Sequence, residues 1–203
     1  MEQAIKKWRD RCHVYYDWIS SATFVERLLL SFAFSFLTGV SAQIFIKLPF
    51  TPVPVTGQVF VVLLGGALLG KSLAGLSQII YFFGGMAGIP WFAAGNCGMV
   101  LLPSFGYIIG FIPAAFFVGW LFDRGIRWQS ISRQIFAMLA GVAIIYCCGA
   151  IWFSVFMQTG LKTTLLMAVA PFIPVDIVKA YFAAYLVAFC SPRSFSNERS
   201  FKN

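Results

Sequence analysis

The sequence predicts an all-α membrane protein, a six-transmembrane-helix bundle with a ligand pocket near its outer face. Three observations lead there. Hydrophobic residues fill 60% of the 203 positions and charged residues only 11%, against roughly 25% charged in an average soluble domain. Apolar stretches recur near the length of about 20 residues that a helix needs to cross a bilayer, and six of them with short loops use the whole chain. The charges gather at the ends of those stretches, with one exception: Asp176 and Lys179 lie inside the last one.

The net charge of +8 does not point to nucleic acid, because the basic residues flank apolar segments, where positive-inside bias puts them. The five cysteines, Cys12, Cys97, Cys147, Cys148 and Cys190, are odd in number and lack paired zinc spacing, so they read as small apolar residues. The single histidine, His13, lies outside the apolar segments, which leaves no intramembrane Ser–His site. No His/Cys/Asp/Glu cluster suggests a metal. Neither catalysis nor a cofactor is expected.

Residues 1–27 mix Lys6, Lys7, Arg9 and Arg11 with Trp8, Tyr15, Tyr16 and Trp18, a composition suited to membrane lipid headgroups on the cytoplasmic side. The transmembrane domain then occupies 28–191. Its first helix, Leu28 to Ile46, carries Ser31, Ser35 and Gly39 at every fourth position. Such a stripe lets another helix approach closely, either within the chain or from a partner. Pro49, Pro52 and Pro54 follow within six residues and forbid a regular helix. Irregular backbone at this depth must be buried or line a cavity. Short helices over Gly57–Leu69 and Leu73–Ile89 flank a tight turn at Gly70-Lys71-Ser72. The uncharged loop Pro90 to Pro103 is too apolar for a solvated connection and is expected to fold back as a lid or cavity wall.

A fourth helix spans Ser104–Phe122, with a kink expected at Pro113. A fifth spans Gln134–Met157, and a connection runs from Gln158 to Ala170. The sixth opens at Pro171 or Pro174, since proline suits a first helical turn, and ends near Cys190. A basic tail, 192–203, closes the chain. With both termini cytoplasmic, twelve basic residues fall inside and two, Lys47 and Lys162, outside, as the positive-inside rule requires.

Asp176 is the only acid between Asp123 and Glu198. A charge in a membrane segment costs about 2.5–3.5 kcal/mol on insertion scales and marks a functional site by default. Lys179, three residues on, shares its helix face. The pair either binds a polar ligand or only holds helices together. Gly65 to Ser72 also fits G-x-x-x-x-G-K-S, but the phosphate-cradling loop requires a strand–loop–helix context that a membrane helix end lacks.

Pro52-Val53-Pro54-Val55-Thr56-Gly57-Gln58, Leu68-Leu69-Gly70, Tyr81 through Gly84 to Gly88-Ile89-Pro90-Trp91-Phe92, Gly106-Tyr107-Ile108-Ile109-Gly110-Phe111 and Pro171-Phe172-Ile173-Pro174-Val175-Asp176-Ile177-Val178-Lys179 together resemble the BioY family. These are biotin-binding S components of energy-coupling-factor (ECF) vitamin transporters. The resemblance covers about Ser31 to Phe189. It departs at Trp91, where the family commonly has Val, and at Leu102 to Gly106, where it commonly has Gly-Pro-Thr-Gly-Gly. The resemblance implies biotin uptake across the inner membrane, with an ECF transmembrane coupling subunit and ATPase subunits as partners. It assigns Asp176 and Lys179 to the ureido head of biotin or to each other. Thr56, Gln58, Tyr81, Asn96 and Tyr107 become candidate polar contacts, and Trp91 and Phe92 candidate apolar walls. Ser31, Ser35 and Gly39 become candidate docking positions for the coupling subunit. For the biotin carboxylate, Lys47 is the residue on offer.

Overall fold

The computed structural model describes residues 19, 21–98, 102–125 and 130–190; the expectations for the N-terminal segment before Ile19 and for the basic tail lie outside these. Helix α1 runs Phe24–Ala42, four residues earlier than expected. Thr23 and Glu26 set that start: the Glu26 amide donates to Thr23 Oγ1 at 3.4 Å and the Thr23 amide to Glu26 Oε2 at 2.7 Å, a reciprocal cap for the orphan amides of the first turn. The helix ends earlier because Phe45–Ile46 (β1) pairs antiparallel with Val55–Thr56 (β2). This small ladder brackets the proline-rich loop and satisfies backbone groups that the prolines leave out of any helix.

Helix α2 spans Gln58–Met86, with a non-helical Gly70 inside it. It is a hairpin of two arms. Gln58 Nε2 donates to Tyr81 Oη at 2.7 Å across 23 residues; a straight helix would hold those residues about 35 Å apart. The chain reverses at Gly70, where φ is +77° and ψ 174°, a region open essentially only to glycine. A Cβ there would also stand 2.6 Å from Asp123 Oδ1. The Asp123 carboxylate accepts the Lys71 amide at 3.0 Å and so caps the second arm. The expected turn at Gly70-Lys71-Ser72 is therefore present, and the phosphate-loop pattern is a helical reversal.

A 3-10 turn at Ala93–Gly95 precedes α3 (Phe105–Asp123), which continues through Pro113. Helix α4 spans Ile131–Met157. The expected connection from Gln158 to Ala170 is not plain loop: it folds as α5 (Leu161–Ala168), bent 51° from α6 (Ile173–Cys190). Among the described residues, four helices are long and apolar enough to cross a membrane, or five if the bent α5–α6 pair counts as one span.

The helices pack through small residues, as membrane helices do when dispersion drives their association. Helix α6 buries Ala180, Ala183, Ala184 and Val187 completely. Helix α1 turns Ser31, Ser35, Thr38 and Gly39 inward and leaves Phe24, Leu29, Phe32 and Phe36 exposed. Ser31 Oγ donates to the Leu73 carbonyl at 3.2 Å, and a Cβ on Gly39 would stand 2.8 Å from Trp91 Cβ. The small-residue stripe is thus occupied by the chain's own second α2 arm and Trp91.

Candidate functional site

Helix α6 begins beside β2 and the end of α4. Pro174 sits in its first turn, where a missing amide costs nothing. Asp176 lies in the same first turn, its amide bonded to the Phe172 carbonyl at 2.9 Å. Asp176 is only 3% exposed. Lys179 Nζ lies 2.6 Å from Asp176 Oδ1, and Tyr146 Oη of α4 donates to Oδ2 at 2.8 Å. Lys179 also donates to the Thr56 carbonyl at 2.7 Å. A buried charge survives only when paired and hydrogen-bonded, and here each carboxylate oxygen has a partner.

The polar contacts continue outward from this pair. Thr56 Oγ1 donates to Gln58 Oε1 at 3.0 Å, Gln58 Nε2 to Tyr81 Oη at 2.7 Å, and Tyr81 Oη to the Trp91 carbonyl at 3.0 Å. One connected network therefore links α4, α6, β2, both arms of α2 and the apolar loop. Trp91 and Phe92 anchor that loop. Cβ atoms on Gly84 and Gly85 would fall 2.1 Å from their rings, so both seats exist because glycine occupies those helix positions.

A cavity of about 40 Å³ adjoins the pair, lined by Thr56, Gln58, Tyr107, Tyr146, Asp176 and Lys179 together with Val53, Ala93, Ile108, Phe111 and Phe172. Its capacity for recognition is explicit. An ionised carboxylate offers about four lone-pair sites and an ammonium three N–H donors. With Tyr146, Lys179 and Thr56 engaged, Asp176 keeps two acceptor sites and Lys179 one donor.

Five of the nine expected ligand residues, Thr56, Gln58, Tyr107, Asp176 and Lys179, converge on this cavity. Tyr107 is held there by a hydrogen bond from its hydroxyl to the Ala168 carbonyl. Tyr81 is fully buried behind Gln58. Trp91 and Phe92 form the buried base of the loop and do not line the cavity. Asn96 is turned to its own 3-10 segment, with Nδ2 donating to the Ala93 carbonyl at 2.7 Å. Lys47 sits with its ammonium 5.9 Å from the Phe45 ring centroid. Sequence reasoning missed Tyr146. It is the only tyrosine in α4, but its role depends on α4 packing beside α6.

Fold and site together define a multi-pass helical membrane protein with a buried acid–base pair walled by loops at one end of the bundle. The BioY family model matches residues 11–194, and the chain belongs to that family. A relative described as "Probable biotin transporter BioY" from Pyrococcus horikoshii is 40% identical over 74% of this chain and 86% of its own length. "Biotin transporter BioY" from Thermotoga maritima is 30% identical over 80% of this chain and 94% of its own. Among solved structures, the S-component for biotin from an ECF-type ABC transporter superposes with a TM-score of 0.72 at 28% identity, covering 80% of this chain and 89% of that one.

Proposed function

We propose that the chain is the substrate-binding subunit of an ECF-type biotin transporter, taking biotin from outside at the Asp176–Lys179 pair and passing it inward. One observation carries the assignment of the site: the buried pair keeps two acceptor sites and one donor free beside a cavity. The ureido head of biotin offers the converse set, two N–H donors flanking one carbonyl acceptor. Residues at i and i+3 start about 5–6 Å apart, which suits two adjacent ligand groups and not the two ends of the molecule. Similarity to biotin transporters of the family, and to a solved S-component for biotin, supports biotin as the substrate.

In this reading both termini are cytoplasmic, and the two arms of α2 and the α5–α6 pair bring the crossings of the inner membrane to six. Gly65–Ser72 forms a helical reversal, so the chain supplies no nucleotide site there. Energy then comes from an ECF transmembrane coupling subunit and ATPase subunits. Helix α1 is the element we assign to docking; Ser31, Ser35 and Gly39, packed internally in this conformation, become available to that subunit only if α1 shifts.

A ligand panel on the purified protein tests the substrate. Bound labelled biotin is expected to be displaced by unlabelled biotin and not by thiamine or riboflavin. Tight riboflavin binding with none of biotin contradicts the proposal.

A further inference from the structure

A groove of about 760 Å³ runs between the second arm of α2 and α3, well away from the acid–base pair. Leu76, Ile79, Ile112, Phe116, Phe117 and Ile144 wall it, Gly75 helps form its floor, and Ser72 is its one polar lining residue. Phe116 is 48% exposed, so the groove opens on the outer surface of the bundle.

Its two walls lead to one basic end. On α3, Ile112, Phe116, Trp120 and Arg124 follow at every fourth residue and share a face. The Arg124 guanidinium lies 4.0 Å over the Trp120 ring, which in turn stacks on Phe117 at 5.8 Å between centroids. On α2, the groove face ends at Ser72, next to the exposed Lys71. The two helices nearly touch at that level, since a Cβ on Gly119 would stand 2.7 Å from Lys71 Cα. Lys71, Arg124 and Trp120 thus lie just beyond the groove's lining at that end. Among the described residues one acid lies beside them, Asp123, whose carboxylate accepts the Lys71 amide at 3.0 Å.

We infer that this groove binds an anionic phospholipid, with an acyl chain along the Gly75–Phe116 floor and the phosphate held by Lys71 and Arg124. Tryptophan belongs at headgroup depth, and basic pockets between membrane helices select anionic headgroups. The bulky Phe116 and Phe117 walls oppose the close backbone approach by which a partner helix would pack, whereas a flexible acyl chain moulds to them. The inference is independent of the biotin reading. It also gives Lys71 and Ser72, the residues that close the phosphate-loop pattern, a phosphate of a different kind.

The test is phospholipid retention. Protein reconstituted in equimolar phosphatidylglycerol and phosphatidylcholine is re-extracted in mild detergent, and the bound lipid is quantified by mass spectrometry. Wild type is expected to keep phosphatidylglycerol over phosphatidylcholine by at least fivefold. Lys71→Gln/Arg124→Gln should abolish that preference. Gly75→Leu, whose Cβ would meet Phe116 no closer than 3.6 Å, should lose both lipids. Monodispersity and thermal midpoint, not biotin binding, report folding; if Gly75→Leu fails to fold, the double variant decides alone. Undiminished preference in the double variant, no preference in wild type, or photocrosslinking from position 79 to a polypeptide instead of a lipid overturns the inference.

Discussion

Lys179 reaches across 123 residues of sequence to donate to the carbonyl of Thr56 at 2.7 Å. The same ammonium neutralises Asp176. One side chain thus holds the charge inside the site and fastens the strand that ends the proline-rich loop. Substituting it acts on both. In Lys179→Met, Asp176 keeps only the Tyr146 hydroxyl, and an uncompensated buried charge costs about 3–5 kcal/mol. The thermal midpoint should fall sharply. Asp176→Asn/Lys179→Met should recover most of that loss while biotin binding stays absent. A double variant that binds like wild type would reduce the pair to a structural ion pair.

Tyr146 supplies the second hydrogen bond to the carboxylate. Hydrogen bonds to charged groups are worth about 1.5–3 kcal/mol. Tyr146→Phe keeps the ring and loses that bond, so the carboxylate is less firmly oriented. Biotin affinity should drop about tenfold in equilibrium binding, and the protein should remain folded. Unchanged affinity would show that Lys179 alone positions Asp176.

The reversal at Gly70 carries its own test. Residues held in a glycine-only backbone region cost about 1–3 kcal/mol, and a Cβ at Gly70 also meets the Asp123 carboxylate. Gly70→Ala should therefore lower the thermal midpoint by several degrees. Asp123→Ala relieves the contact but also removes the cap on Lys71, so the loss from Gly70→Ala is read against Asp123→Ala alone, where it should shrink but persist. No remaining loss in that background would mean that the clash alone matters.

The seats of Trp91 and Phe92 tie loop order to the cavity. Gly85→Val drives a side chain into the Phe92 ring, which already lies 2.1 Å from a Cβ at that position. The loop should lift, become susceptible to limited proteolysis between residues 90 and 103, and lose biotin affinity together with protection. Wild-type protease resistance in that variant would show that the loop does not depend on this seat.

How much of this was legible depends on what each residue contrasts with. Asp176 and Lys179 stood out because charge is scarce in the apolar segments, and the Gly-Lys-Ser turn because it breaks an apolar run. Tyr146 did not, since a tyrosine among so many aromatics is no outlier and its role appears only when α4 packs beside α6. Trp91 and Phe92 were read as cavity walls from their apolar character. Their burial against Gly84 and Gly85 depends on the hairpin bringing α2 back past the loop, which is tertiary information. Helix α5 was missed because eight residues with Lys162, Thr163 and Thr164 at their start carry too short a pattern to separate from a connection.

The most direct measurement is equilibrium binding of labelled biotin to purified wild type and Asp176→Asn, with thermal midpoints recorded for both. Every 1.4 kcal/mol is tenfold in affinity, and loss of a charge-assisted hydrogen bond of about 1.5–3 kcal/mol predicts binding weakened by a factor of ten or more in a protein that remains folded. Equal affinity in the two proteins would take Asp176 out of the site and contradict the account.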